Sequence, residues 1–228
     1  MKATIKKNSC SIHLHFVTTI FALIVCNTLS AFSAPEINAS ADKIVVTNYL
    51  PQDYKTDGTV SYQIEIQSAL DDAAGTGTTV IFPAMDYLID ENGFQIGSHL
   101  TLSMYGAIFR VSGSAKVDGQ VFLGEGITDV QFFGGEVVGR NDIWPDGVNI
   151  RGVNLKGPVQ RIRIRDMYFH DLSSAGIGIY ATANSMASDI WVNDVIVDNC
   201  CNFYGDYLSE RVGPEPGSER EDQGSVAF

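Results

Sequence analysis

Three arginines alternate with two isoleucines in one short segment of the chain. Arg161, Arg163 and Arg165 flank Ile162 and Ile164, and apolar residues spaced two apart are typical of a strand with one buried face. The three guanidinium groups should therefore project from the outer face, where they could bind carboxylates in a bidentate manner. The simpler interpretation is a solvated face whose arginines pair with neighbouring acids.

A histidine follows this segment and adds a group that exchanges protons near neutral pH. His170 should point outward because Phe169 points inward, and Asp171 follows it directly. A histidine near arginines could act as a general acid or base. Arg163, Arg165 and His170 are therefore the predicted catalytic residues. The alternative is that His170 is a turn residue held by Asp171.

A polar loop upstream offers candidate binding residues. Trp144 is predicted to be exposed there, so that it could stack on a sugar ring while polar neighbours bind hydroxyls. Otherwise the loop is a turn stiffened by Pro145, with Trp144 covering the edge of the fold. Two acids in the loop would also suit calcium, but they lack the ligand spacing of a known calcium loop, so the cofactor stays open. The predicted substrate-binding residues are Arg140, Asp142, Trp144, Asp146, Arg161 and Tyr204.

The element that positions these side chains is a strand motif that occurs twice, 28 residues apart. Residues 162–171 and 190–199 each carry an apolar pair, an Asp, a second apolar pair, and then Asp or Asn. A looser copy contains Val130, Phe132 and Val137. Repeats of this length are typical of a stacked solenoid, so we expect three coils. The predicted turn formers at the corners are Asp166, Asp171, Asp194 and Asn199.

Only one helix is predicted, at about residues 61–74, with Ser61 as its N-cap and Gly75 as its stop. Strand-like runs at 43–46 and 78–83 flank it. Short strand-like runs then alternate with turns rich in Gly, Asn, Asp and Ser, which indicates an all-β fold; an antiparallel sandwich is the alternative. We divide the chain into an N-terminal cap at 43–90 and coils at 91–228.

The first 33 residues have the features of a secretory signal peptide. Three lysines precede an apolar run at 16–25, and Ala31 and Ser33 suit cleavage after Ser33. Removing this segment changes the net charge from −12 to −15. Such a charge disfavours nucleic acid and anionic membranes as partners, and we expect a secreted protein.

Two cysteines remain after cleavage, and they are adjacent. Neighbouring residues rarely meet disulfide geometry without strain, so Cys200 and Cys201 are predicted to stay reduced, with one of them facing the core. An acidic, proline-containing excursion loop is predicted at 211–224. The apolar residues near Phe228 resemble the start of another strand, so we expect the sequence to be the N-terminal piece of a longer protein.

The region around the predicted helix resembles a known capping segment. The sequence DYKTDGT at 53–59, the helix with Ile66-Gln67 and Ala69-Leu70, and GTTVIFP at 77–83 are similar to the N-terminal cap of the pectate-lyase-like superfamily. GGEVVGR at 134–140 is similar to a turn of its polygalacturonase branch. The resemblance implies a right-handed parallel β-helix, all-β with a short N-terminal capping helix. The acid cluster of polygalacturonases is not found here.

The superfamily includes polysaccharide lyases, glycoside hydrolases, epimerases and glycan-binding tailspikes, so the fold alone does not decide the reaction. We expect a secreted protein that acts on an acidic, uronate-containing polysaccharide by β-elimination. Arg163 and Arg165 would bind the uronate carboxylate, and His170 or a residue beyond Phe228 would handle the proton. The alternatives are a non-catalytic glycan-binding or adhesion protein and a glycoside hydrolase. The oligomeric state stays open.

Overall fold

The computed structural model describes residues 42–145, 147–181 and 184–201, together with the backbone of 226–227. The predicted signal peptide, Asp146, Tyr204 and the predicted loop at 211–224 lie outside the described residues. Between Lys43 and Asp198 the chain forms short parallel strands and one α-helix.

The strands stack into three parallel sheets, which the chain visits in a repeating order. Sheet A consists of β1 (Lys43–Val45), β2 (Thr79–Ile81), β5 (Leu100–Ser103), β8 (Thr128–Phe133), β11 (Gln160–Arg165) and β14 (Ser188–Asn193). Sheet B consists of β3 (Asp86–Ile89), β6 (Ile108–Val111), β9 (Glu136–Val138), β12 (Tyr168–His170) and β15 (Ile196–Asp198). Sheet C consists of β4 (Phe94–Ile96), β7 (Gly119–Glu125), β10 (Ile150–Lys156), β13 (Ile177–Tyr180) and β16 (Val226–Ala227).

This arrangement is a parallel β-solenoid of about four turns, which confirms the predicted β-helix. The repeated motif lies in register: Ile162 of β11 pairs with Val130 of β8 and with Ile190 of β14. Phe169 pairs with Val137 and Val197 in the same way. The sequence indicated fewer coils because the earlier ones turn at glycines instead of repeating the Asp and Asn corner residues.

Inward side chains from all three sheets form one continuous core. Alternation along β11 leaves Ile162 and Ile164 fully buried, while Arg163 between them faces outward. In the first coils the core is aromatic, and the Phe109 ring lies 5.3 Å from the Phe82 centroid and 5.1 Å from that of Phe122. Large apolar side chains in such contacts contribute most of the stability of a solenoid coil.

The helix α1 (Gln63–Ala73) follows a 3-10 helix (Val46–Tyr49) and covers the first coil. Its buried stripe is the predicted one, but the predicted cap is wrong: Tyr62 is the N-cap and makes no side-chain cap hydrogen bond. Gly75 follows the helix with a φ of +79°, as its stop requires. Among the described residues no helix is long and apolar enough to span a membrane.

Two glutamines attach α1 to the edge of sheet C. Gln67 donates through Nε2 to the Gln95 carbonyl oxygen at 3.0 Å and accepts from the Gln95 amide at 2.9 Å. Gln63 makes a similar pair of bonds with Asp90. An open sheet edge exposes unpaired backbone groups, and these side chains satisfy four of them in and beside β4: the N–H and carbonyl of Gln95, the Asp90 N–H and the Gly93 carbonyl.

The corners between sheets depend on residues in the left-handed region. Asp166 and Asp194 have φ angles of 58° and 52°, and Asp171 and Asn199 have φ angles of 56° and 47°. Asp and Asn tolerate this conformation better than other residues that carry a side chain. The predicted turn formers therefore lie at turns.

Cys200 packs partly against the core, and both cysteines are reduced. Burial raises the pKa of the Cys200 thiol to about 11. A thiol with so high a pKa is a weak nucleophile at neutral pH.

Candidate functional site

The outer face of sheet A carries the arginine row that the sequence predicted. Arg163 lies in register between Gln131 of β8 and Trp191 of β14. Arg165 lies in register between Phe133 and Asn193. Adjacent strands are about 4.8 Å apart, so side chains of one row are close neighbours.

Trp191 is the exposed tryptophan of this face, with 41% of its surface accessible. Its indole Nε1 donates to Asp189 Oδ1 at 2.6 Å, which restrains the ring beside the Arg163 row. An exposed aromatic ring with a fixed orientation is a surface on which a sugar ring can stack. The sequence analysis missed this residue because it treated Trp191 only as one position of the strand repeat.

Arg165 is held by an aromatic neighbour. Its guanidinium carbon lies 4.1 Å from the centroid of the Phe133 ring, a geometry that favours a cation–π contact. Its Nε lies 3.7 Å from Asp166 Oδ2, and that same oxygen accepts a hydrogen bond from the Tyr105 hydroxyl at 2.6 Å. More than half of the Arg165 side chain is exposed, so its charge is accessible from solvent.

Arg161 has a different environment, although it belongs to the same strand. It has a φ of 54° and donates to both carboxylate oxygens of Asp129, at 2.5 and 2.7 Å, and to Thr128 Oγ1 at 2.9 Å. Hydrogen bonding to Asp129 raises the pKa of Arg161, and the same contact lowers the pKa of Asp129. Arg161 is therefore an arginine paired with a neighbouring acid, as the simpler interpretation of the arginine row held.

The Asp129 carboxylate also contacts a histidine one coil earlier. His99 Nδ1 lies 3.2 Å from Asp129 Oδ2, and Asp189 acts electrostatically on Arg161 from the next coil. We call these four left-handed residues at the corner between sheets C and A the corner ladder: His99, Asp129, Arg161 and Asp189.

An open cleft of about 610 Å³ lies beside the corner ladder. Two rows of residues from successive coils form most of its wall. The lining residues are Gly126, Thr128, Pro158, Gln160, Arg161, Asn184, Met186 and Ser188.

His170 lies on sheet B, whereas Arg163 and Arg165 lie on sheet A. The predicted catalytic residues therefore do not share one sheet face, because the chain turns a corner at Asp166 and Met167 between β11 and β12. The outward orientation of His170 is as predicted: Phe169 is fully buried, and the His170 side chain is 18% exposed.

Both ring nitrogens of His170 contact carboxylates. Nδ1 lies 2.7 Å from Asp171 Oδ2, and Nε2 lies 3.0 Å from Glu136 Oε1. Tyr168 stacks on the imidazole with centroids 4.6 Å apart. Burial opposes the charged imidazolium, but the bonds to Glu136 and Asp171 outweigh burial and raise the pKa of His170. When it is protonated, His170 donates to both carboxylates, and neither nitrogen then has a lone pair with which to accept a substrate proton.

Glu136 is a site residue that the sequence analysis did not identify. It lies directly after Gly134 and Gly135, and strand pairing of β9 with β12 places it beside Tyr168. Its side chain is 35% exposed, so one carboxylate oxygen can contact a ligand while the other accepts from His170. The strand register pairs His170 itself with Val138, so Glu136 could be found only as the partner of Tyr168, two residues before His170.

The prediction of an exposed Trp144 is wrong. Trp144 is only 7% exposed, and its Nε1 donates to the Ser112 carbonyl oxygen at 2.9 Å. The ring covers the core edge, as the alternative interpretation held. Arg140 pairs with Asp142 at 2.8 Å at the start of this loop, and both side chains are exposed.

Two asparagines connect the His170 cluster to neighbouring loops. Asn199 Nδ2 donates to Asp171 Oδ1 at 2.6 Å, and Asn141 Nδ2 donates to the Asn199 carbonyl oxygen at 2.8 Å. Asn199 and His170 lower the pKa of Asp171. Within the described part of the chain, no group of three or more His, Cys, Asp or Glu residues is arranged to hold a metal ion.

No family model matches this chain, and no curated protein sequence does either. Among solved structures, it is similar to a crystal structure of a "putative glycosyl hydrolase" from Parabacteroides merdae ATCC 43184. The identity is 16%, the TM-score is 0.47, and the alignment covers 69% of this chain and 75% of that one. At this level of similarity nothing about binding or activity is transferred to this chain.

Proposed function

We propose that this protein is carbohydrate-active and that it binds an acidic, uronate-containing polysaccharide across the outer face of sheet A. The observation that carries the proposal is the in-register pair of the exposed Trp191 and the partly exposed Arg163. The indole offers a stacking surface, and the guanidinium offers paired donors for a carboxylate. On a chain of net charge −12, Arg163 and Arg165 form a local site for an anionic sugar.

The finer proposal is a polysaccharide lyase of the pectate-lyase-like superfamily. In β-elimination a base removes the proton at C5 of a uronate, a C4–C5 double bond forms, and the C4–O bond to the leaving sugar breaks. Arg163 and Arg165 would neutralise the carboxylate and so make the C5 proton more acidic. In this scheme His170, which contacts Asp171 and Glu136, would handle the proton.

The second candidate function is glycan binding without catalysis. It is favoured by one observation: His170 belongs to another sheet than Arg163, and both of its nitrogens already contact carboxylates. A glycan-binding or adhesion protein needs the Trp191 face alone. Hydrolysis of glycosidic bonds is a further possible reaction for the same ligand class.

Binding measured by calorimetry, combined with absorbance of unsaturated products, tests these proposals. The full chain is mixed with a panel of soluble polyuronates. Trp191→Ala and Arg163→Ala should each weaken binding about tenfold or more. Arg110→Ala is the matched control, since Arg110 is an exposed arginine on sheet B that pairs with Asp86.

Each outcome has a defined meaning. New absorbance near the ultraviolet band of unsaturated uronates would support the lyase, whereas binding without product would favour the second candidate. No binding to any acidic glycan, or equal losses in Arg110→Ala and Arg163→Ala, would contradict the proposed ligand class.

A further inference from the structure

We propose that the cleft beside the corner ladder binds a neutral sugar unit, so that the glycan recognised by this protein combines uronate and uncharged residues. This inference rests on the proposed function and adds to it the composition of the ligand. It follows from three observations: the residues that line the cleft, the acids that compensate the charge of Arg161, and the position of the cleft on β11.

The cleft wall consists of two stacked rows. Gln160 pairs in register with Thr128 and with Ser188 at the starts of β11, β8 and β14. Gln160 and Ser188 carry uncharged hydrogen-bonding groups for a ligand, while the Thr128 hydroxyl is already bonded to Arg161 and Asp129. A pattern of hydroxyl and amide groups on one wall suits the hydroxyls of a sugar ring.

The second row lies two residues earlier in each coil. It consists of Gly126, Pro158 and Met186, which line the same cleft. Met186 is 67% exposed. Apolar side chains beside uncharged polar groups match the two kinds of surface that a neutral sugar presents.

Arg161 is the one charged residue that lines the cleft among those the structure describes, and its charge is already compensated. Asp129 accepts two hydrogen bonds from it at 2.5 and 2.7 Å, and Asp189 adds negative charge from the next coil. With two carboxylates around one guanidinium, the corner does not favour a further carboxylate. A uronate placed here would meet net repulsion.

The cleft and the anionic-sugar site lie on the same two strands, β11 and β14. Arg163 follows Gln160 by three residues on β11, a separation of about 10 Å along the strand. Trp191 follows Ser188 by the same number of residues on β14. Neighbouring units of one glycan can therefore reach the cleft and the Trp191 face together.

The experiment uses the full chain and an array of acidic oligosaccharides of equal length. One class consists of uronate alone, and the other alternates uronate with a neutral sugar. We expect the alternating class to bind at least about fivefold more tightly. Gln160→Ala and Ser188→Ala should reduce that preference by about fivefold each, while Gln95→Ala, an exposed glutamine on β4, should not change it.

A gain of function gives the sharpest test. Asp129→Asn keeps a residue that tolerates the left-handed φ of 58° and removes one of the charges that compensate Arg161. This variant should bind the uronate-only class more tightly than the wild type does, and Asp129→Asn combined with Arg161→Gln should reverse the gain.

The outcomes separate this inference from the proposed function. If Trp191→Ala abolishes binding but the uronate-only class is preferred, and Asp129→Asn changes nothing, the neutral-sugar cleft is wrong and the glycan face stands. If no member of either class binds, both fail together.

Discussion

Arg161, Arg163 and Arg165 are two residues apart, yet their surroundings give them different tasks. Asp129 compensates Arg161 at the corner, Phe133 lies under the guanidinium of Arg165, and Arg163 stands beside the exposed Trp191. Guanidinium groups keep their charge at any physiological pH. The neighbours therefore decide whether each arginine stabilises the fold or is available to a ligand.

The raised pKa of His170 links the stability of the fold to pH. Its pKa is raised above the ordinary value of 6.5 by Glu136 and Asp171, although burial of the ring acts in the opposite direction. The charged form therefore stabilises the fold fully below about pH 6.5, and this contribution is lost as the pH rises through the raised value.

We expect the free energy of unfolding to fall as the pH rises above about 6.5 in the wild type, and to fall less in His170→Gln. Urea unfolding at several pH values measures this slope. Glu136→Gln removes one of the two carboxylates and should give an intermediate slope. Parallel pH profiles for wild type and His170→Gln would show that the contacts of His170 with Glu136 and Asp171 do not stabilise its charged form.

Single turns and strands depend on close backbone contacts between successive coils. Gly119 of β7 lies against the backbone of the previous coil, and a Cβ there would overlap the Glu91 carbonyl oxygen. Gly75 at the end of α1 also has an unusual backbone, with a φ of +79°, but a Cβ there would meet no atom within 4 Å. Substitution of Gly119 therefore tests crowding between coils, and substitution of Gly75 tests backbone strain alone.

Gly119→Ala should destabilise the protein by about 3 kcal/mol or more, because the strands must separate to admit the methyl group. Gly75→Ala should cost only about 1 kcal/mol, the penalty of an L-residue in the left-handed region. Chemical denaturation measures both. Equal losses of stability in the two variants would show that contact with the previous coil does not exclude a side chain at position 119.

The whole molecule combines an acidic surface with a stacked core, and its export is proposed from residues outside the described structure. We propose that residues 1–33 direct secretion and are removed after Ser33. The purified secreted protein should begin at Ala34, as N-terminal sequencing or intact mass would show. Ser33→Arg should block cleavage, whereas Phe32→Tyr should not; an intracellular product in both cases would contradict secretion.

The strand motif explains why so much of the fold could be predicted. Apolar residues at every second position, repeated at 28 residues, determined the parallel pairing of β11 with β14 and the outward direction of the arginines. Asp and Asn at the corners could be recognised because few residues with side chains tolerate positive φ. The helix N-cap could not, since Tyr62 occupies that position without a side-chain cap bond, and its hydroxyl accepts from the amide of Lys55 instead.

The sequence by itself determined the alternation, the turns and the apolar stripe of α1, because these are local patterns in which each residue's neighbours along the chain decide its direction. Only the tertiary structure decided which tryptophan is exposed, which arginine is compensated and which carboxylates hold His170. Except for Asp171, which follows His170 directly, the partners in those contacts lie about thirty positions apart, one coil to the next. Their partners depend on the lengths of the turns, which no local pattern specifies.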